Sequence, residues 1–208
     1  MWSFIEDGLR ANPITGGGHY YHDHPDYGAL VWLKERFNIK TLLDVGCAYG
    51  SHVKLARSME IDAIGVDGDW TLPYYEYSKW NDYTLSSCSD LDDVYDIGWS
   101  IEFVEHIAKE YIDNYMHDFQ KCKYLIISSY NEEVSGGVHH VNVNIQEDWI
   151  KLFTEYGFEY SEELTREMKA NSTMGTFEGL PAGWYIGVED PSWLQRTGMF
   201  FYNTKFKR

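Results

Sequence analysis

Three groups of residues carry side chains able to do chemistry. Asp44 closes the apolar start of TLLDVGCAYGSH, residues 41 to 52, and a turn bracketed by Gly46 and Gly50 follows it. Asp67 closes DAIGVD, 23 residues further on. Glu102, Glu105 and His106 form an E-x-x-E-H run, and His139 and His140 stand together in SGGVHHVN. A carboxylate at the end of a strand accepts hydrogen bonds from hydroxyls or faces a cation. A neutral imidazole can take a proton near pH 7.

The glycine turn excludes two common ligands. A phosphate-binding P-loop needs lysine and then Ser or Thr after its last glycine, whereas Ser51 and His52 follow Gly50. A dinucleotide fingerprint needs G-x-G-x-x-G, whereas Ala48 stands between Gly46 and Gly50. Asp44 at the strand end repels a pyrophosphate and favours a ligand with positive charge. Asp67 is placed to accept two hydrogen bonds from ribose hydroxyls. A nucleoside with a cationic tail and no phosphate meets both demands, and S-adenosyl-L-methionine is such a ligand.

These residues are held by strands that alternate with helices. Apolar runs predict strands over 40–45, 62–67, 95–100 and 123–129. A final strand is expected over 198–203, with 158–160 as its partner. Helical spacing predicts helices over 25–37, with Pro25 in the first turn, and over 51–60. The longest stripe runs from Val104 through Ile107, Ala108, Tyr111, Ile112, Tyr115 and Met116 to Phe119 and predicts one continuous helix. Asn144 and Glu147 have capping-box spacing for a helix through Trp149, Ile150, Phe153 and Tyr156, which Gly157 is placed to end. The class is α/β: a mostly parallel sheet with helices on both faces, whose ligands bind beyond the carboxyl ends of the strands.

LLDVGCAYG, AIGVDGD and YDIGWSIEFVEHI, in this order and spacing, resemble a class I S-adenosylmethionine-dependent methyltransferase. The likeness covers about residues 40–160 and is nearest to small-molecule O- and N-methyltransferases whose fourth strand runs into E-x-x-E-H. The resemblance implies a Rossmann-like seven-stranded sheet, mostly parallel, with an antiparallel last strand. It implies that Asp44 and the backbone of Gly46, Cys47, Ala48, Tyr49 and Gly50 cradle the methionine part. Asp67, with Gly68 beside it, would take the ribose. Asp90 with Leu91 would face the adenine, although Asp92 and Asp93 are equally available acids. Ser100 and Ile101 would lie beside the amino group and sulfonium. One departure is that Ala48 stands where the family usually has its middle glycine, with bulky Tyr49 next.

Methyl transfer to a hydroxyl or a protonated amine needs a base for the acceptor's proton. His139 and His140 follow the fifth strand, on the expected substrate side, and Gly136 and Gly137 give their loop freedom. They rank ahead of His106, and in an extended segment only one of the pair faces inward. The leader PITGGGHYYHDH is histidine-rich. His19, His22 and His24 match no standard zinc spacing, so no metal site is assigned. Tyr20, Tyr21 and His22 read as a lid over the cofactor, ahead of a disordered leader. Met174, Phe177, Trp184, Tyr185 and Trp193 offer an apolar wall for the acceptor. The expected organisation is one domain over 1–208: a leader over 1–24, a cofactor-binding core over 25–160, and a substrate wall with the final strand over 161–208.

The formal net charge of -16 disfavours a nucleic-acid substrate. No N/D-P-P-Y/W tetrapeptide follows the fourth strand; Ser100, Ile101, Glu102 and Phe103 take its place. Free nucleotides or nucleotide sugars stay open as acceptors. A non-catalytic cofactor-binding partner or regulatory protein is the reading from another class. No apolar run approaches the ~18 residues of a membrane span. The start MWSFIEDGLR is too polar for a signal peptide, and Cys47, Cys88 and Cys122 form no CxxC pair. The expectation is a soluble, cytoplasmic protein with free thiols.

Overall fold

The computed structural model describes residues 25–70, 72, 76–92, 94–130, 140–176, 178–180 and 193–207. Seven strands form one sheet: β1 (Thr41–Val45), β2 (Asp62–Asp67), β3 (Ser78–Trp80), β4 (Tyr95–Ile101), β5 (Cys122–Ser128), β6 (Phe158–Tyr160) and β7 (Met199–Asn203). Their order is β3-β2-β1-β4-β5-β7-β6. The first five are parallel, and β7 runs antiparallel to both β5 and β6. The chain winds outward from β1 toward β3, then returns to place β4 on the other side of β1. The carboxyl ends of β1 and β4 therefore flank a point where strand order reverses, the crevice in which such sheets bind ligands. Asp96 fixes this junction at its far end: its carboxylate accepts the N–H groups of Lys40 at 2.7 Å and Thr41 at 3.1 Å.

Alternation along the strands sends neighbouring residues to opposite faces. Leu43, Leu125, Ile127 and Phe201 join one core; Leu42, Ile126 and Phe200 join the other. The first face is covered by α3 (Ile112–Phe119) and α4 (Gln146–Glu155), through Tyr115, Met116, Phe119, Trp149 and Phe153. The second is covered by α1 (Tyr27–Phe37), α2 (Ser51–Ser58), α5 (Glu162–Asn171) and α6 (Trp193–Thr197). Phe153 stacks on Phe201 with ring centroids 5.0 Å apart, which locks α4 to β7. Each such fully buried large side chain contributes roughly 1.5–3 kcal/mol of transfer free energy.

Several local expectations need correction. The stripe from Val104 to Phe119 is not one helix: two 3-10 turns, Val104–His106 and Lys109–Tyr111, precede α3. Ile107 has extended backbone with ψ of 120°, and the fully buried Glu105 is bound by groups outside the turn, which a regular helix would have rotated away. The apolar stripe arises from packing of separate turns on one face. The Asn144–Glu147 capping box does not form. Ile145 is the N-cap of α4, and the Asn144 amide donates instead to Asn142. Pro25 lies outside α1, whose N-cap is Asp26, with its carboxylate accepting the Ala29 N–H at 2.9 Å. Gly157 does follow α4, at a φ of +97°. The sequence reading named neither β3 nor α5. Among the described residues no helix is long and apolar enough to cross a membrane.

Candidate active site

The turn after β1 is built by its backbone donors. Gly46 and Cys47 both donate to the Val66 carbonyl, at 2.8 and 3.2 Å, and Gly50 donates to Cys47 at 2.7 Å. Ala48 donates to the Asp67 carboxylate at 2.9 Å, and the other oxygen of Asp67 accepts the Asp69 N–H at 2.9 Å. The turn after β1 is thus clamped to the end of β2. Gly46, Ala48 and Gly50 all take positive φ, of 80°, 46° and 69°. Ala48 holds a left-handed conformation that glycine adopts without strain. Gly46 is required for space as well: a Cβ there would lie 2.6 Å from the Phe103 ring. Cys47 packs against Gly65, where a Cβ would lie 2.5 Å from its sulfur. Its thiol belongs to the core.

Asp44 and Asp67 are both buried, and their strands are adjacent, with Val45 opposite Val66. The start of α2 lies beside them. Its N-cap is Gly50 and no side chain caps it, so its first-turn N–H groups form a site suited to an anion such as a carboxylate. Ser100 is fully buried and donates its hydroxyl to the Val45 carbonyl at 2.7 Å, pinning β4 to β1 at the crevice. Ile101, half-buried, ends β4. Asp90 is exposed, whereas Leu91 is buried in the core with Val66 and Phe103. Gly68 accepts the Trp80 indole N–H at 3.1 Å through its carbonyl.

The E-x-x-E-H run sits at the carboxyl ends of β4 and β5. Glu102 has a φ of +51°, which turns the chain sharply off β4. Its carboxylate accepts the Ser128 hydroxyl at 2.8 Å. Glu105 is fully buried, and one of its oxygens accepts the Tyr130 N–H at 3.0 Å. The Glu105 carbonyl accepts the N–H groups of Val141 and Asn142, at 2.9 and 3.0 Å. These two bonds draw the chain after His140 onto the Glu105 turn. His140 and His106 thereby meet, with ring centroids 4.8 Å apart, and Tyr130 lies 4.3 Å from His140 on another side. Burial, and after it the Glu102 carboxylate, pushes the Glu105 carboxyl well above the usual carboxylate range. Burial also raises Glu102, against the opposing effect of the Ser128 hydroxyl and Arg196. Beside this cluster a small hollow of about 30 Å³ is lined by Ser129, Asn144, Gln146, Trp149, Arg196, Thr197 and Met199.

The two histidine candidates that the sequence separates by 34 positions are thus neighbours in space. His139, Tyr21, His22 and the rest of the leader lie outside the described residues, as do Gly136, Gly137, Phe177, Trp184 and Tyr185. The buried role of Glu105 goes beyond its place in the E-x-x-E-H run; the signal for it in the sequence is an acid inside an otherwise apolar stripe. His52 is a second buried polar residue, with no signal in the sequence: it stacks on Trp99 with centroids 4.1 Å apart and accepts the Asp26 N–H at Nδ1.

No protein-family model matches the chain, and no curated protein matches it in sequence. Solved structures do match. The methyltransferase domain of bacterial CtHen1 has a TM-score of 0.53 at 15% identity, covering 85% of this chain and 96% of that one. A TehB-like SAM-dependent methyltransferase from Corynebacterium glutamicum has a TM-score of 0.53 at 14% identity, covering 85% and 88%. At such identities the likeness speaks of architecture alone. The chain has the Rossmann-like fold of the class I S-adenosylmethionine-dependent methyltransferases.

Proposed function

We propose that the protein is an enzyme that transfers a methyl group from S-adenosylmethionine to an oxygen or nitrogen atom of a small molecule. The observation that carries this reading is the pairing of buried Asp44 and Asp67 at adjacent strand ends around one glycine turn. Asp67 receives the ribose; a carboxylate oxygen accepts more than one hydrogen bond, so ribose hydroxyls can join its backbone donors. Asp44 faces the cationic end of the cofactor. The methionine carboxylate goes to the first turn of α2, because the Gly46, Cys47 and Ala48 N–H groups are already engaged within the fold. Leu91 provides apolar surface toward the adenine.

The acceptor enters from the side of β4 and β5, where His106 and His140 handle its proton. The acceptor atom attacks the methyl carbon as the carbon–sulfur bond breaks. The electron pair of that bond returns to sulfur, leaving S-adenosylhomocysteine, the methylated acceptor and one proton. The protein must align these atoms and exclude water. The net charge of -16 favours a small acceptor over a nucleic acid.

The test is calorimetric titration with S-adenosylmethionine and, separately, with NAD, on the wild type and on Asp67→Ala. Binding of the methyl donor alone, lost in the variant, supports the reading. An acceptor screen detecting S-adenosylhomocysteine then follows. Failure of the methyl donor to bind would overturn it.

A further inference from the structure

Glu105, His106 and His140 each offer one ligand atom, and these three atoms all lie within 4.8 Å of one another. They come from two distant stretches of chain, joined by the bonds from Val141 and Asn142 to the Glu105 carbonyl. One carboxylate and two imidazoles are a ligand set that first-row divalent ions favour over magnesium or calcium. A second observation points the same way. The Oε2 atom of Glu105 is buried and receives no hydrogen bond from a nitrogen or hydroxyl donor among the described residues; its carboxyl neighbour is Glu102. Two buried carboxyl groups drawn together in this way must share a proton or be neutralised by a cation.

We propose that Glu105, His106 and His140 form a binding site for a divalent first-row transition ion such as Mn²⁺ or Zn²⁺. Three protein ligands leave coordination positions open, which is the pattern of a catalytic site. Such an ion holds nitrogen and oxygen ligands at about 2.0–2.2 Å, so neighbouring ligand atoms stand about 3 Å apart. Reaching that spacing from the present one, within 4.8 Å, requires the two half-buried imidazoles to rotate toward Glu105. Glu102 places a second carboxyl group beside the site, hydrogen-bonded to Glu105.

This inference rests on the proposed methyl transfer and refines how the acceptor's proton is handled. The cluster lies at the carboxyl ends of β4 and β5, where the acceptor is placed. An ion there polarises an acceptor hydroxyl and lowers its pKa, so the proton leaves to solvent as the oxygen attacks the methyl carbon. The two histidines then act as ligands, with their lone pairs directed at the ion.

The experiment uses the full chain, freed of metal with a chelator and then dialysed. Mn²⁺ and, separately, Zn²⁺ and Mg²⁺ are titrated by calorimetry, with electron paramagnetic resonance following Mn²⁺. The expected result is one equivalent of Mn²⁺ or Zn²⁺ per chain, with Mg²⁺ far weaker. His106→Ala and Glu105→Gln each weaken this on the order of 100-fold. His106→Ala guards against misfolding, since His106 is half-buried, and circular dichroism confirms each variant's fold. No ion bound by the wild type, or binding unchanged in both folded variants, would overturn the proposal. S-adenosylmethionine titration on the same samples separates the two readings. Ion binding without methyl-donor binding retains the metal site and removes the methyltransferase assignment. Methyl-donor binding with no ion does the reverse.

Discussion

Ala48 donates its backbone N–H to the Asp67 carboxylate at 2.9 Å. The acid proposed to hold the ribose therefore also shapes the turn proposed to lie against the methionine part. Asp67→Asn replaces one acceptor oxygen by a donor, and either orientation of the amide loses the Ala48 or the Asp69 bond. A hydrogen bond to a charged group is worth about 1.5–3 kcal/mol. The variant is expected to bind S-adenosylmethionine at least ~10-fold more weakly, since 1.4 kcal/mol is a factor of ten in affinity. Calorimetry measures this, and an unchanged affinity would remove Asp67 from the site.

Ala48 itself gives the second prediction. Its φ of 46° is a conformation that costs an alanine roughly 1–2 kcal/mol. Ala48→Gly removes that strain and adds about 0.5–1 kcal/mol of unfolded-state entropy. The net expectation is a gain of up to about 1.5 kcal/mol, read as a higher urea midpoint with an unchanged slope. A lower midpoint would show that the alanine methyl packs usefully and that the turn is not strained.

The fold was largely legible because its strands are short apolar runs punctuated by acids and glycines. DAIGVD matches β2 residue for residue, and the pairing of 158–160 with the last strand was readable from length and position. The region after β4 was misread for a definite reason. Periodicity reports which residues face the core, and two 3-10 turns followed by α3 present the same face as one long helix. Buried Glu105 was the contrary signal within that stripe. The meeting of His106 with His140 had no local signature. It depends on two backbone bonds to the Glu105 carbonyl, and backbone bonds between loops leave no trace in residue type. Gly46 is an intermediate case: its place in the turn was evident, but its contact with Phe103, which joins the glycine turn to the E-x-x-E-H segment, was not.

Asp26 ties the start of α1 to the end of α5. It is fully buried, accepts the N–H groups of Ala29 and Thr173, both at 2.9 Å, and takes the Ser172 hydroxyl on its second oxygen. Asp26→Ala leaves two backbone donors without an acceptor and removes an N-cap. The expected loss is roughly 2–4 kcal/mol of stability. Asp26→Asn keeps an acceptor for the two N–H groups and should lose less than half as much. Urea denaturation of both variants checks the ordering. Equal losses would mean that charge, not hydrogen-bond satisfaction, is what this site requires.

His52 makes stability depend on pH. Burial beside Trp99 lowers its pKa from the ordinary 6.5 to about 3. Its Nδ1 accepts the Asp26 N–H at 3.3 Å, so the neutral ring carries its proton on Nε2. Below pH ~6.5 the unfolded chain takes up a proton that the folded chain refuses. The stability linked to His52 is therefore fully present above pH ~6.5 and is lost as pH falls toward about 3, at up to ~1.4 kcal/mol per unit. Asp26, whose carboxyl burial raises, acts with the opposite sign and offsets part of this at low pH. Between about pH 7 and about pH 5 the His52 share is about 2 kcal/mol. His52→Phe retains the ring against Trp99 and removes the titration. Denaturation of both proteins at the two pH values should show the wild type losing about 2 kcal/mol more than the variant on acidification. Equal losses would mean that the folded protein takes the proton at His52 as readily as the unfolded chain does.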